Sequence, residues 1–136
     1  MTTFRISEVA ELLGVSVDTA RRWVDSGRLP ATRDAAGRRL VAGADLAAFA
    51  RARTAANGGS AHSSARNRFR GIVTHVLRDA VMAQVEIAAG PFRVVSLMSR
   101  QAADELGLEP GVVADAVVKS TTVVVELPED ARPRTR

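Results

Sequence analysis

Residues 64–67 read Ser64-Ala65-Arg66-Asn67 and separate two halves of the chain that differ in composition. Before them lie an arginine-rich segment with helical periodicity and a stretch of small, polar residues. After them come short β-branched runs separated by turn residues. The four residues offer a hydroxyl, a guanidinium and a carboxamide, which all donate hydrogen bonds, and no carboxylate. Such a set at the start of a β-rich module favours an anion as the ligand.

Composition sets the broad class of protein. The chain of 136 residues has room for one domain or two small ones, and its 46% hydrophobic content is typical of globular proteins. It has no cysteine, and its histidines, His62 and His75, make no metal site without several carboxylates, so no cationic metal is expected. No apolar run approaches the roughly 20 residues of a membrane span, and the N-terminus lacks a signal-peptide stretch. We therefore expect a cytoplasmic protein without a membrane partner.

The positive charge is concentrated in the first half. Residues 1–56 carry nine arginines against six carboxylates, a net charge of +3, whereas seven basic and seven acidic groups cancel over residues 57–128. An excess of this kind is expected of a surface that touches a polyanion.

The first half has the pattern of two short helices joined by a tight turn. Ser7 is expected to cap the first helix and Gly14 to end it, because glycine enters the left-handed region without penalty. Ser16 is expected to cap the second helix, which runs from about Val17 to Asp25. Two such helices make a helix-turn-helix.

The second helix and the segment after it carry the candidate DNA contacts. A helix that presents threonine and two arginines has the chemistry of a recognition helix, because arginine binds phosphate or guanine and threonine binds phosphate or a thymine methyl group. Two strands, residues 28–33 and 38–41, are predicted around a turn at 34–37 and form a wing with arginines at its tip. A third helix is predicted over about residues 44–53.

Residues 3–53 as a whole resemble the winged helix-turn-helix of the MerR and excisionase families. The resemblance is carried by Ile6-Ser7-Glu8-Val9-Ala10, Leu13-Gly14-Val15-Ser16, Thr19-Ala20-Arg21-Arg22-Trp23, Gly27-Arg28-Leu29-Pro30 and Gly37-Arg38-Arg39. It implies binding of double-stranded DNA, with the second helix in the major groove and the wing on the backbone. The candidate DNA-binding residues are Ser16, Asp18, Thr19, Arg21, Arg22, Arg33, Arg38 and Arg39. The alternative is a solvated helix face and a charged hairpin, since some excisionase-like modules serve protein contacts.

The second half is predicted to be a small OB-like barrel that follows a flexible linker at residues 54–63. One helix, from Arg100 to Leu106, is expected to be capped by Ser99 and ended by Gly107. The predicted strands are residues 71–77, 81–88, 92–98, 112–118 and 122–127. The expected fold class is α+β in two domains, residues 1–53 and 64–128, with a disordered tail at 129–136.

Two further groups of donors accompany the residues at 64–67. Ser99 lies at a helix N-terminus, where free N–H groups and the helix dipole favour an anion. Lys119-Ser120-Thr121 combines a cation with two hydroxyls at a bend between strands. Taken singly, Ser99 is explained as a plain helix cap and Lys119 as a solvated charge. Arg66 has the alternative of a surface pair with Glu86 or Asp115.

Residues 64–127 resemble a molbindin, or TOBE-type, domain. The resemblance is carried by Ser64-Ala65-Arg66-Asn67, Gly71, Val95-Ser96-Leu97-Met98-Ser99, Glu105-Leu106-Gly107-Leu108, Gly111 and Val117-Val118-Lys119-Ser120. It implies molybdate or tungstate as ligand, bound between subunits by backbone N–H groups and by Ser, Thr, Arg and Lys side chains. The candidate oxyanion-binding residues are Ser64, Ala65, Arg66, Asn67, Ser96, Ser99, Lys119, Ser120 and Thr121. Ser99 stands where many members have threonine, and Thr121-Thr122 departs from the common Ser/Asp-type pair.

The two resemblances together imply a molybdate- or tungstate-responsive transcription regulator that acts as a homodimer or a higher oligomer such as a hexamer. One alternative is a molybdate storage protein whose helical module organises assembly. Another is a constitutive DNA-binding protein whose barrel only oligomerises. An enzyme is not expected, because the sequence shows no nucleophile–base pair, metal cluster or phosphate-cradling glycine loop.

Overall fold

The computed structural model describes residues 2–54 and 62–131, and the chain divides into two compact units, Met1–Asn57 and Gly58–Arg136. Most of the predicted linker, residues 55–61, and the end of the predicted tail, residues 132–136, lie outside the described residues. Within the described ranges, no helix has both the length and the apolar character needed to traverse a bilayer.

The N-terminal unit packs three helices against a small antiparallel sheet of order β1-β3-β2. Its elements are β1 (Thr3–Arg5), α1 (Ile6–Leu13), α2 (Val17–Asp25), β2 (Thr32–Arg33), β3 (Arg39–Ala42) and α3 (Gly43–Thr54). The core is small and aliphatic, with one tryptophan from α2. Its buried members are Val9, Ala10, Ala20, Trp23, Leu29, Val41 and Leu46.

The start of α1 differs from the sequence prediction. The helix begins at Ile6, directly after β1, so Ser7 lies inside the first turn and the prediction of Ser7 as the cap is wrong. The cause is the short strand β1, which the sequence did not reveal: Arg5 pairs with Leu40 of β3 and is held extended, with ψ of 161°. The other end is as predicted, because Gly14 ends α1 at φ of 67°.

Helix α2 has the predicted bounds, but the first wing strand, predicted over residues 28–33, covers only Thr32–Arg33. The Leu29 backbone N–H instead donates to the carbonyl oxygen of Trp23 at 3.0 Å, and Pro30 has no N–H for a strand ladder. The Ser16 hydroxyl accepts a hydrogen bond from the backbone N–H of Thr19 at 3.1 Å and so caps α2. At the wing turn, Asp34 Oδ1 accepts from the backbone N–H of Arg38 at 2.9 Å. This hydrogen bond is the main cause that lowers the pKa of Asp34. Arg39 of β3 pairs with Asp25 at the end of α2, which ties the wing to the helix.

The C-terminal unit is a curled antiparallel sheet of order β6-β5-β4-β7. Its elements are β4 (Asn67–Arg78), β5 (Met82–Ala89), β6 (Phe92–Ser99), α4 (Arg100–Glu105), β7 (Val113–Val118) and the 3-10 turns Ser120–Thr122 and Glu129–Ala131. Gly71 permits the curl, because a Cβ there would lie 2.2 Å from the carbonyl oxygen of Ala88. Ser99 caps α4, as predicted, by accepting from the backbone N–H of Ala102 at 3.1 Å. The α+β class in two units is confirmed, with the barrel half closed.

The predicted fifth strand, residues 122–127, is wrong. After the 3-10 turn Ser120–Thr122 the chain pairs with no other strand in the described ranges. Val124 and Val125 are 81% and 85% exposed. A β-branched composition indicates a tendency to form a strand, but a strand also needs a free sheet edge within reach with which to pair. No described segment pairs with the outer edges of β6 and β7, and residues of both strands line an apolar cavity of about 580 Å³ on the inner face.

Candidate anion-binding and nucleic-acid surfaces

Two of the three predicted oxyanion-binding segments meet at one end of the C-terminal sheet. Asn67, the first residue of β4, is the ladder partner of Val118, the last residue of β7. Its side-chain amide also donates to the carbonyl oxygen of Val118 at 3.1 Å. Because Lys119 follows Val118 directly, this contact holds the segment at 64–67 beside Lys119-Ser120-Thr121. Asn67 therefore positions the cluster, with its amide already engaged.

The segment before β4 is shaped by a serine that the sequence reading missed. The Ser63 hydroxyl accepts from the backbone N–H of Ala65 at 3.1 Å, and the Ser63 carbonyl oxygen accepts from Arg66 Nη1 at 2.9 Å. Ala65 is only 6% exposed and anchors the segment in the unit. Ser64 and Arg66 are exposed on either side of it. A serine two residues before Ala65 is a typical short-range turn signal, and that signal could have found Ser63.

The second segment presents its side chains to solvent. The 3-10 turn is closed by Thr122, whose backbone N–H and hydroxyl donate to the Lys119 carbonyl oxygen at 3.0 and 2.9 Å. Lys119, Ser120 and Thr121 are exposed, and their side chains have no hydrogen-bond partner among the described residues. Thr122 is thus a structural residue, and the three before it remain available to a ligand.

No carboxylate among residues 2–54 and 62–131 pairs with Arg66. The two carboxylates that the sequence offered as alternative partners are engaged elsewhere. Asp115 accepts from Arg68 and Arg70, each at 3.1 Å, and Glu86 pairs with Arg93. The hydrogen bond from Arg70 is the main cause that lowers the pKa of Asp115. The predicted alternative of an Arg66–carboxylate pair is therefore wrong.

The third predicted segment lies elsewhere on the unit. Ser99 is opposite Met82, level with the C-terminal end of β4, whereas Asn67 begins that strand. The 12 residues of β4 span roughly 36 Å of contour at about 3.3 Å per residue. The surface around Ser99 is lined by residues 80, 81, 99, 100, 101, 104 and 105. Ser96 lines the apolar inner cavity. One chain thus brings together two of the three segments.

The candidate DNA contacts divide between two concave surfaces of the N-terminal unit. Thr19 and Arg22, together with Arg28, line the first surface, which encloses about 700 Å³. The other, of about 430 Å³, is lined by Arg5, Ile6, Ser7, Val17, Arg21, Arg33, Arg38 and Arg39. Neighbouring arginines of α2 therefore face different surfaces, as the 3.6-residue helical period requires.

Two predicted DNA contacts make structural interactions, and two arginines were missed. Ser16 caps α2, and Asp18 pairs with Arg21 at 3.0 Å. Arg5 and Arg28 line the two surfaces but were not singled out from the sequence. Arg28 follows the glycine after α2 and Arg5 precedes α1, so neither belongs to the helical pattern that identified the others. In the parts of the chain described here, no three His, Cys, Asp or Glu residues form a metal-binding group.

Comparison with known proteins agrees with this division of the chain. A helix-turn-helix domain model matches residues 3–54, and a TOBE domain model matches residues 63–125. The chain is 41% identical over 64 residues to molybdenum-pterin-binding protein 2 of Clostridium pasteurianum, which covers 46% of this chain and 93% of that protein. The chain therefore belongs to the TOBE-domain, or molbindin, family, with a helix-turn-helix domain N-terminal to the TOBE domain.

Solved structures also align with part of the chain. A molybdate-binding protein from Sporomusa ovata is 26% identical, with a TM-score of 0.46, over 47% of this chain and 96% of that chain. The cytoplasmic molybdate-binding protein ModG, with molybdate bound, is 37% identical, with a TM-score of 0.47, over 49% of this chain and 48% of that chain.

Proposed function

We propose that the chain is a molybdate- or tungstate-responsive transcription regulator. Its helix-turn-helix unit binds double-stranded DNA, and its TOBE unit binds the oxyanion; the function is binding rather than catalysis, in the cytoplasm. The observation that carries the proposal is the exposed donor cluster at one sheet end, in a chain whose relatives are named for molybdenum and molybdate. This donor cluster consists of Ser64, Arg66, Lys119, Ser120 and Thr121.

The chemistry of the donor cluster suits a tetrahedral dianion. Molybdate offers four acceptor oxygens and two negative charges. Arg66 and Lys119 supply two positive charges, and the three hydroxyls supply neutral donors. Charge-assisted hydrogen bonds from the two cations are the strong contacts, and the absence of carboxylates from the cluster avoids repulsion. The main-chain N–H of Ala65, at present directed to Ser63, is one further donor that a bound anion could recruit.

The placement of Ser99 supports a site shared between copies of the chain. Ser99 lies at the other end of the sheet from the donor cluster of its own chain. A site that contains both therefore requires a second copy of the chain. Open edges β6 and β7 and the exposed residues 123–127 further support assembly, since an unpaired β-branched segment and a free edge are complementary. The proposed functional unit is at least a homodimer, with a hexamer as the higher assembly.

Sharing the anion would connect sensing to DNA binding. An oxyanion held between two TOBE units favours one arrangement of the copies over others, and so biases the spacing of their helix-turn-helix units. By thermodynamic linkage, a ligand that prefers one arrangement changes the affinity for DNA in the same proportion as DNA changes the affinity for the ligand.

Calorimetric titration of the full chain with sodium molybdate, with sodium sulfate as the control anion, tests the sensor half of the proposal. Saturable heat with molybdate and none with sulfate is expected. Absence of heat with both anions would reduce the TOBE unit to an assembly module. Molybdate binding without any salt-dependent DNA binding would instead make the chain a storage protein.

A further inference from the structure

The concave surface between α1, α2 and the wing carries five arginines, Arg5, Arg21, Arg33, Arg38 and Arg39, and we call it the arginine pocket. Building on the proposed DNA binding, we infer that the arginine pocket holds one phosphate group of the DNA backbone and that Arg5, outside the recognition helix and the wing, is one of its ligands. Arg22, Thr19 and Arg28, on the other surface, are left to face the bases.

The charge of the arginine pocket is only partly compensated within the unit. Arg21 pairs with Asp18 at 3.0 Å and Arg38 with Asp34 at 3.0 Å, both across exposed ion pairs. Exposed pairs of this kind contribute little, so a guanidinium can exchange its carboxylate for a phosphate at small cost. Arginine is suited to this exchange because its planar fork matches two phosphate oxygens.

Arg5 and Arg33 make no ion pair with a carboxylate in the described parts of the chain. Arg33 Nη1 donates to the Gly37 carbonyl oxygen at 2.7 Å, a neutral acceptor. Arg5 is exposed, and its guanidinium donates to no acceptor in the described ranges. Two guanidinium groups without a carboxylate partner among the described residues lie beside three that are paired, around a volume of about 430 Å³. Such a surface attracts a compact anion.

The position of the arginine pocket identifies the phosphate as one from DNA. Its walls come from α2 and the wing, the two elements that the proposed DNA binding places against the duplex. Arg5 is fixed beside them by β1, whose pairing with β3 joins it to the wing sheet. A phosphate held here would set the register of α2 in the groove, which is the usual role of backbone contacts.

The test measures how DNA affinity depends on salt for the full-length wild type and for Arg5→Ala, on a 30-base-pair duplex of random sequence. Each phosphate contact contributes roughly 0.9 to the slope of log affinity against log salt. Loss of one contact should lower that slope by about 0.9. When the salt concentration is raised from about 50 to about 200 mM, the factor by which DNA affinity falls should therefore be about 3.5-fold smaller for the variant than for the wild type. Arg5→Lys, which keeps the charge, should retain most of the slope.

Arg51→Ala is the matched control, because Arg51 is exposed on α3 and lines neither concave surface. It removes the same charge and should leave the slope unchanged. If Arg5→Ala keeps the wild-type slope, or if both alanine variants lower it equally, the phosphate assignment is wrong while DNA binding stands. If the wild type shows no salt-dependent binding, the proposed DNA binding fails as well.

Discussion

Replacement of Lys119 by alanine probes the oxyanion site with little disturbance of the fold. Lys119 is exposed, and its ammonium group has no partner among the described residues, so the free energy of unfolding should change by less than about 0.5 kcal/mol. The substitution removes one of the two cations of the donor cluster. A hydrogen bond to a charged group contributes about 1.5–3 kcal/mol, which corresponds to a roughly 10- to 150-fold weaker affinity for molybdate.

The assay is calorimetric titration of wild type and Lys119→Ala with molybdate at one salt concentration, with unfolding in urea to verify stability. Arg51→Ala in the other unit serves as the control for net charge and should bind molybdate as the wild type does. An affinity of Lys119→Ala within twofold of wild type would refute the assignment of Lys119 as a ligand. A loss equal to that of Arg51→Ala would show that only net charge matters.

Three further predictions concern the TOBE unit. Gly71→Ala should lower the free energy of unfolding in urea by about 3 kcal/mol, because its Cβ would meet the carbonyl oxygen of Ala88 at 2.2 Å and the backbone must move; an unchanged midpoint would contradict this. Asp79 accepts from the backbone N–H of Met82 at 2.7 Å, and this bond lowers its pKa. The free energy of unfolding of the wild type should therefore exceed that of Asp79→Ala by a constant amount at pH values above about 3.9, the pKa of an aspartate in the unfolded chain. This difference should shrink as the pH falls through the lower pKa that Asp79 has in the folded protein. A difference that does not depend on pH would contradict this prediction. Val124→Asp should shift sedimentation towards the monomer, while Val124→Thr should not, if this 81% exposed side chain packs against a second copy.

Local signals in the sequence were sufficient for most helix ends and for the two-unit division. Ser16, Gly14 and Ser99 act through hydrogen bonds or backbone angles within a few residues, so their effects can be read without the rest of the fold. The prediction of Ser7 as the cap of α1 was wrong because the start of this helix depends on a distant part of the chain. The strand before it is fixed by pairing between Arg5 and Leu40, which are far apart in the sequence. A strand of three residues is too short to show a recognisable sequence pattern.

The candidate sites show the same limit. The sequence indicated donors at 64–67 and 119–121, but it did not show that Asn67 joins them or that Ser99 lies at the other sheet end. Residues 122–127 have the composition of a strand, yet within the described chain no edge pairs with them. The composition of a segment indicates its tendency to form a strand, but whether a strand forms depends on a partner edge elsewhere in the fold.

The central claim is that one chain couples oxyanion binding to DNA binding. The direct measurement is the affinity of the full-length protein for a DNA duplex with and without saturating molybdate, at constant ionic strength and with sulfate as the control. The duplexes are the tightest binders selected from a random pool under both conditions. A coupling free energy of about 1–3 kcal/mol is typical of allosteric proteins, so a roughly 5- to 150-fold change in affinity with molybdate alone is predicted. Identical affinities with molybdate, sulfate and neither anion would contradict the account.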